Sequence, residues 1–473
     1  MFTRNANVPV AIRPGARGII ASVLVLAFSL RLLFVWMGAV EYPIRGDINQ
    51  YVLYAWNLSH HGVFSADRPS PSAPAPNSYR TPGYPALLAT TMLAAGHADL
   101  PLRAGPSGLQ ALGYQTDTWM RIALGLQILL GTATVGLVFL VGRCWLPRPA
   151  AVAAAAITAL WPHLISFSGV LLSETLFGFA LLLAVWLLLR AEGRGARGMG
   201  GAGLAWGVAY LVNPIVALFP LMAAALLIRR SKPLATALLA GFLVLPASWS
   251  IRNAISTAGT GSLQRIEENF VQGSWPQYLT AMDSRFNDAI SMRIVAAVDA
   301  ETRDFKADPV EGMIRVAARM ALDPAFFLRW YSLQKPFLLW DWDIRIGAGD
   351  IYFLAVEHSP FEKIPLLRFV KATFKTFNPL IFVLAMLAAL VIPVRHLFGR
   401  RRQEFAPLAL SLLLLYLTAV HVVLQAEPRY SVPYRPAEIL LAMTAVTWVC
   451  GAIGAAVARR REALGSPAPV RNG

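Results

Sequence analysis

Residues 17–40 read RGIIASVLVLAFSLRLLFVWMGAV, an apolar run with one charge, Arg31, in its interior. As a helix it is long enough to cross a hydrocarbon core, which takes about 20 residues. Just beyond it stands Arg45-Gly46-Asp47-Ile48-Asn49-Gln50-Tyr51. A carboxylate where a helix leaves the lipid is well sited to accept a proton from a substrate arriving at the bilayer surface.

The rest of the chain agrees with a membrane setting. Of its 473 residues 56% are hydrophobic and 14% charged, and the mean hydropathy is +0.53, beyond what a soluble fold of this length carries. The apolar stretches lack the two-residue alternation of an outer-membrane barrel, so the spans are helices and the fold class is an all-α polytopic integral membrane protein. About ten spans are expected, up to thirteen at most, at roughly 17–40, 118–143, 149–168, 170–190, 199–213, 214–229, 233–250, 376–394, 405–425 and 431–457. The tight pairs meet around Ser168 and Asn213. The first span shows no small-residue cleavage site and reads as a retained signal anchor.

Charge sets the expected orientation. With the N-terminus inside, the cytoplasmic segments hold 19 of the 42 Lys and Arg but only Glu192, Glu404 and Glu462 of the 26 acids. Their net charge is +16, the value for the whole chain. The positive-inside rule therefore accounts for the basic balance, and nothing is left to argue for nucleic acid. Both termini are expected in the cytoplasm. Cys144 and Cys450 fall near cytoplasmic helix ends with no metal-ligand spacing and read as packing residues.

Two long segments fall on the outer side, about 41–117 and about 251–375, and long connections in a chain of short ones are where function concentrates. They divide the chain into an N-terminal transmembrane module (1–250), an outer segment with interfacial helices (251–375) and C-terminal helices with a basic tail (376–473). In the first segment, Tyr51, Tyr54, Ala55 and Leu58 are spaced for an amphipathic interfacial helix over 47–61. Residues 69–76 are too proline-rich for a regular helix, and Pro82 is placed to open another helix through Leu93. In the second, Glu301 to Arg319 reads as a solvated helix, and Trp330, Trp340 and Trp342 as an interfacial aromatic belt.

Five segments taken in order carry a resemblance. They are Gly46-Asp47 with Tyr51, Ala55, Asn57-Leu58 and Gly62; Arg80-Thr81-Pro82-Gly83-Tyr84-Pro85; Leu172-Ser173-Glu174-Thr175-Leu176-Phe177; Trp249-Ser250-Ile251-Arg252-Asn253; and Glu427-Pro428-Arg429-Tyr430-Ser431-Val432-Pro433. The ordered set resembles the bacterial GT-C glycosyltransferases, the family 39 and 83 relatives of protein O-mannosyltransferases and of the lipid A aminoarabinose transferase. Where that family often has a second acid beside the first aspartate, this chain has Ile48 and Asn49; it also has Ser248 where a proline is common.

The resemblance implies a GT-C-like helix bundle in a bacterial inner membrane with an outward-facing, periplasmic site. It implies a polyprenyl-phosphate sugar donor and inversion at the anomeric carbon. The acceptor would be a lipid, a glycan or a protein of the envelope. Asp47 is then the expected general base, with Glu174 as a second acid orienting the acceptor or pairing with an arginine. The donor phosphate needs a cation as it leaves, and the outer-face candidates are Arg80, Arg429, Arg252 and Lys335. Tyr51, Tyr84 and Tyr430 are candidates for positioning substrate. No cofactor is expected; no dense acidic cluster suggests a metal, although the resemblance leaves a divalent ion open.

Other readings stand beside these. Asp47 could cap a helix, Arg80 and Arg429 could be interfacial anchors, and Glu174 a structural acid. Arg31 could reach the donor phosphate or snorkel outward. His60, His61, His163 and His421 form no ligand set by spacing. A lipid or sugar transporter would place more ionisable residues mid-span, while a non-catalytic scaffold of an envelope-polysaccharide system would not need Asp47 and outer cations to converge.

Overall fold

Helix α1 (Pro14–Met37) carries the opening apolar run, and a short strand after it, β1 (Ala39–Val40), pairs antiparallel with β2 (Val356–Glu357) from far along the chain. A computed structural model describes residues 14–40, 43–96, 102–105, 108–111, 117–257, 262–398 and 405–463. The protein is an all-α polytopic membrane bundle. Among the described residues seven helices are long and apolar enough to cross a membrane. They are α1 from Gly18, α4 (Thr118–Gly142), α7 (Glu174–Ala191), α10 (Lys232–Ser256), α18 (Pro365–Phe398), α19 (Phe405–Val423) and the run Pro428–Arg460, which includes most of α21 (Arg435–Ala463). The small helices α2 (Asp47–His61) and α3 (Gly83–Ala94) and the group α11 (Ser262–Gly273), α12 (Tyr278–Ser284), α13 (Ala289–Ala307), α14 (Pro309–Leu322), α15 (Pro324–Arg329), α16 (Lys335–Leu339) and α17 (Pro360–Lys363) fill the two long segments.

The expected spans and the observed helices part at the two tight pairs. Instead of a full helix over 149–168, α5 (Arg148–Leu160) breaks at Trp161-Pro162 and turns by 57° into α6 (Pro162–Ser166). Pro162 cannot donate the hydrogen bond that would continue α5, so the break follows from covalent chemistry. Counting this bent pair as one span gives eight. At Asn213, α8 (Gly195–Val212) ends and a short 3-10 turn leads into α9 (Phe219–Ile228); Pro214–Ile228 is apolar but short. Helix α18 begins at Pro365, eleven residues before the expected 376, because the amphipathic Leu366 to Lys375 continues the same helix.

Helix α8 is rich in glycine, and the contact it makes with α10 explains why. A Cβ on Gly203 would lie 2.1 Å from the Leu238 carbonyl oxygen, and one on Gly241 would lie 2.1 Å from that of Gly200. The backbones touch, as they do where small residues line a helix interface in lipid, and no other side chain fits. A polar staple does similar work at α21. Arg435, buried, donates to Asn378 (3.0 Å), Glu438 (2.9 Å) and the carbonyls of Trp340 (3.2 Å) and Asp341 (2.7 Å), so both its Nη groups have partners inside the bundle.

Three sequence expectations change here. Trp340 and Trp342 are buried inside the protein: Trp340 donates to Thr418 (3.2 Å) and Trp342 to Asp350 (2.5 Å), so their indole N–H groups need no membrane interface. Cys144 and Cys450 are exposed. The solvated stretch 301–319 is two helices, divided at Asp308, whose carboxylate accepts from Val310 and Glu311 and caps α14.

Gly203→Val should lower the thermal midpoint of the detergent-solubilised protein, by the overpacking cost of about 1–3 kcal/mol or more. Gly201→Ala, where an added Cβ meets nothing within 4 Å, should leave it unchanged or slightly raised. Tryptophan fluorescence on heating reads both.

Candidate functional site

Gly46, at φ 57°, turns the chain into α2 with a conformation that a side chain would strain, and so sets where Asp47 points. Asp47 opens the helix without capping it, for no side-chain hydrogen bond caps α2. Its carboxylate turns instead to two arginines. Oδ1 accepts from Arg80 Nη2 at 2.7 Å, and Oδ2 from Arg429 Nη2 at 2.8 Å. Arg429 Nε donates to Glu174 Oε1 at 2.6 Å. Asp47, Glu174, Arg80 and Arg429, far apart in sequence, therefore form one ion network.

Each member is fixed by its local fold. Helix α2 ends at Gly62 in the left-handed conformation, and its face of Ile48, Tyr51, Val52 and Ala55 packs on α3, Trp119 of α4 and Phe167. The apolar face expected at the membrane surface lies against protein. Arg80 leads into α3, and Gly83 sits so close to α8 that a Cβ would lie 2.8 Å from the Leu211 carbonyl and Val212 nitrogen. Thr81 Oγ1 donates to Val212 O at 3.1 Å. The Arg-Thr-Pro-Gly segment is thereby clamped onto the end of α8, and Arg80, 4% exposed, donates also to Gln50 (2.7 Å) and lies over the Tyr51 ring at 4.9 Å. Glu174 starts α7. Arg429 is the second residue of α20 (Pro428–Ser431), which Glu427 caps by accepting the Arg429 N–H at 2.7 Å.

The network borders a cavity of about 320 Å³, lined by Asp47, Glu174, Arg80 and Arg429 and by Tyr51, Tyr430, His421 and Arg265, among others. Asp47 is 37% exposed, and it faces this cavity. Enclosure pushes its carboxyl up, but Arg80 and then Arg429 outweigh that and hold it well below the usual carboxylate range. Burial lowers Arg80 in turn, while Asp47 raises it further above its ordinary value. Glu427, buried in the cavity wall, is pushed up to about 7 by desolvation, against the pull of the Arg345 amide and Arg429.

Not every expected site residue joins. Tyr84 is fully buried, donates to Gln127 at 2.8 Å and reaches the cavity only through its edge contact with Tyr51. Arg252 donates to the carbonyls of Asn77 (3.0 Å) and Phe64 (3.2 Å) and lies over Trp249, so it ties the proline-rich loop to α10. Lys335 is 0% exposed and donates to the carbonyls of Gly273 (3.0 Å) and Leu424 (2.5 Å). Neither cation lines the cavity. Arg31 neither snorkels nor reaches it, for its side chain is buried in the bundle.

Arg265 and His421 are among the lining residues that the sequence reading did not place at the site. Arg265, on α11, lies 5.9 Å from the Tyr79 ring. His421, on α19, stacks on Tyr430 at 5.4 Å, while Tyr430 donates to Gln425. Neither belongs to a motif; only the folding of the outer helices over α2 and α19 brings them in. Among the described residues no group of three His, Cys, Asp or Glu side chains is arranged to hold a metal ion.

A family model described as Dolichyl-phosphate-mannose-protein mannosyltransferase matches residues 115–250, from the residues before α4 into α10, with Glu174 inside. Over this stretch the chain is similar to that family. Its fold is also similar to that of the archaeal oligosaccharyltransferase AglB from Archaeoglobus fulgidus, solved with an inhibitory peptide and a dolichol-phosphate, at 14% identity and TM-score 0.44. That match covers 97% of this chain and 52% of that one, so the chain spans about half the archaeal protein's length. ArnT from Cupriavidus metallidurans bound to undecaprenyl phosphate gives 13% identity and TM-score 0.42, over 97% of this chain and 66% of that one. With TM-scores below 0.5, neither carries weight for what the chain does. No curated protein matches it.

Burial lowers the Lys335 amine to about 7 from 10.5. Between those values the unfolded chain binds a proton that the folded chain lacks, so this lysine makes stability rise with pH across that window and weakens the fold most below it. Melting temperatures of wild type and Lys335→Met from pH 6.5 to 10 should therefore converge or cross as pH rises in favour of the wild type. A difference that does not vary with pH would mean that Lys335 keeps its proton.

Proposed function

We propose that the chain transfers a sugar from a polyprenyl-phosphate donor to an envelope acceptor at the periplasmic face of a bacterial inner membrane. The observation that carries this reading is the meeting of Asp47, Arg80, Glu174 and Arg429 at one cavity. A scaffold has no need of that convergence. The family description, with its dolichyl-phosphate sugar, supports a lipid-phosphate donor, and the basic segments assigned to the cytoplasm by charge leave the cavity end outside.

In this reading the acceptor hydroxyl attacks the anomeric carbon from the face opposite the phosphate. Its proton passes to Asp47, the new glycosidic bond forms with inversion, and the bond to the phosphate oxygen breaks. The polyprenyl phosphate leaves with the electron pair, its charge met by guanidinium groups. Arg80 and Arg429 are the first candidates for that contact, and Arg265 is a third, since it lines the cavity with no ion pair among the described residues. Tyr51 and Tyr430 line the same space and are placed to orient donor or acceptor.

The pairing has a chemical consequence. A carboxylate held far below its ordinary pKa is a weak base, and both Asp47 oxygens are engaged by arginines. A donor phosphate that competes for Arg80 and Arg429 would loosen that hold and raise the basicity of Asp47 as the reaction requires it. Donor binding would thereby prime the base.

Purified wild type and Asp47→Asn, offered a panel of polyprenyl-phosphate sugars and envelope acceptors, test the assignment. The variant should lose about 10²–10⁴ in turnover. Equal transfer by the two would remove Asp47 from the mechanism, and no transfer by wild type with any pair would favour a transport or scaffold role. Arg265→Ala should raise the KM for donor about tenfold, the worth of one charge-assisted contact, with a smaller change in kcat.

A further inference from the structure

Arg31 is a charge inside a membrane span with 1% of its surface exposed, and such a charge is costly unless an opposite charge or a full set of hydrogen bonds meets it. Its Nη1 donates to the Ala27 carbonyl one turn back, at 3.0 Å. Its Nε is buried and has no partner among the described residues. Glu174, 7% exposed, is in the complementary position: Oε1 accepts from Arg429, while Oε2 is buried with no partner among the described residues.

Both side chains line one cavity of about 20 Å³ between α1, α4, α7 and the start of α21, and among the described residues they are the only charged groups in its wall. That volume admits water, and water needs polar partners to stay in a protein interior. Two residues that line the same water-sized space, one with an orphaned donor and one with an orphaned acceptor, can supply them. The seat of Arg31 is specific too. A Cβ on Gly131 would lie 2.6 Å from its Nε and 3.1 Å from its Cδ, so the guanidinium can lie along α4 only because that position is glycine.

We infer that Arg31 is a positioning residue, joined to Glu174 through ordered water in this cavity. The free Glu174 oxygen is held from behind, which keeps the other on Arg429 and Arg429 on Asp47. Arg31 also tips the charge of the assembly. Within the network Asp47 and Glu174 balance Arg80 and Arg429, and Arg31 adds a further positive charge behind Glu174. The inference rests on the proposed glycosyl transfer only for its activity readout.

A double-mutant cycle of melting temperatures, with Arg31→Met, Glu174→Gln and the pair in full-length protein in detergent, tests the link without reference to any substrate. The pair should lower the midpoint by less than the sum of the single shifts, and Arg31→Lys should recover part of the coupling. Gly131→Ala displaces the guanidinium while keeping every charge; it should couple to Glu174→Gln in the same sense and replaces Arg31→Met if that variant does not fold. Where wild type transfers sugar, Arg31→Met should raise the donor KM about tenfold, matching loss of one hydrogen bond to a charged group, with Arg31→Lys in between. Additive melting shifts overturn the link whether or not any sugar is transferred. Coupled shifts with unchanged transfer kinetics overturn the positioning role. An inactive wild type counts against the proposed function and leaves the melting cycle to decide this inference.

Discussion

The Arg429 guanidinium is shared by two carboxylates, Asp47 at 2.8 Å and Glu174 at 2.6 Å, and Asp47 is shared in turn with Arg80. Charges enclosed at the end of a membrane bundle are costly to leave unpaired, and removing one partner exposes the others to that cost. Much of the surrounding structure serves this arrangement. Gly46 turns α2 into place, Gly83 lets the Arg80 segment lie against α8, and Glu427 caps the short helix that carries Arg429. The glycine-lined contact of α8 with α10 holds the platform on which Arg80 rests.

The same pairing explains why a carboxylate at a helix start is not a cap here. Capping would take the Asp47 oxygens to backbone N–H groups of α2, but two guanidinium groups offer stronger, charge-assisted bonds. Arg252 and Lys335 show the reverse: each has the charge for a phosphate contact, and each is occupied by backbone carbonyls away from the cavity. A cation's role is set by which acceptors the fold brings near it, and sequence position alone does not supply that.

Much of the fold was legible because lipid leaves few options. A run such as 17–40 must be a helix, since every backbone N–H and C=O needs a partner within the segment. The helices over 47–61 and from Pro82 were likewise readable, one from apolar spacing, the other from Pro82. The sequence erred where short apolar segments meet. Hydropathy counts residues and does not see that Pro162 breaks α5 or that α8 depends on glycine contact with α10.

Composition and hydropathy alone determined a helical membrane protein, and local motifs singled out Asp47, Arg80, Glu174 and Arg429 as residues worth watching. Only the tertiary structure decided that these four pair with one another, that Arg265 and His421 border the same cavity, and that Arg31 lines one small cavity with Glu174. The reason is physical. Helix formation in lipid is dictated by backbone groups within each segment, whereas the ion network joins side chains from segments up to 382 residues apart. No local pattern encodes that distance.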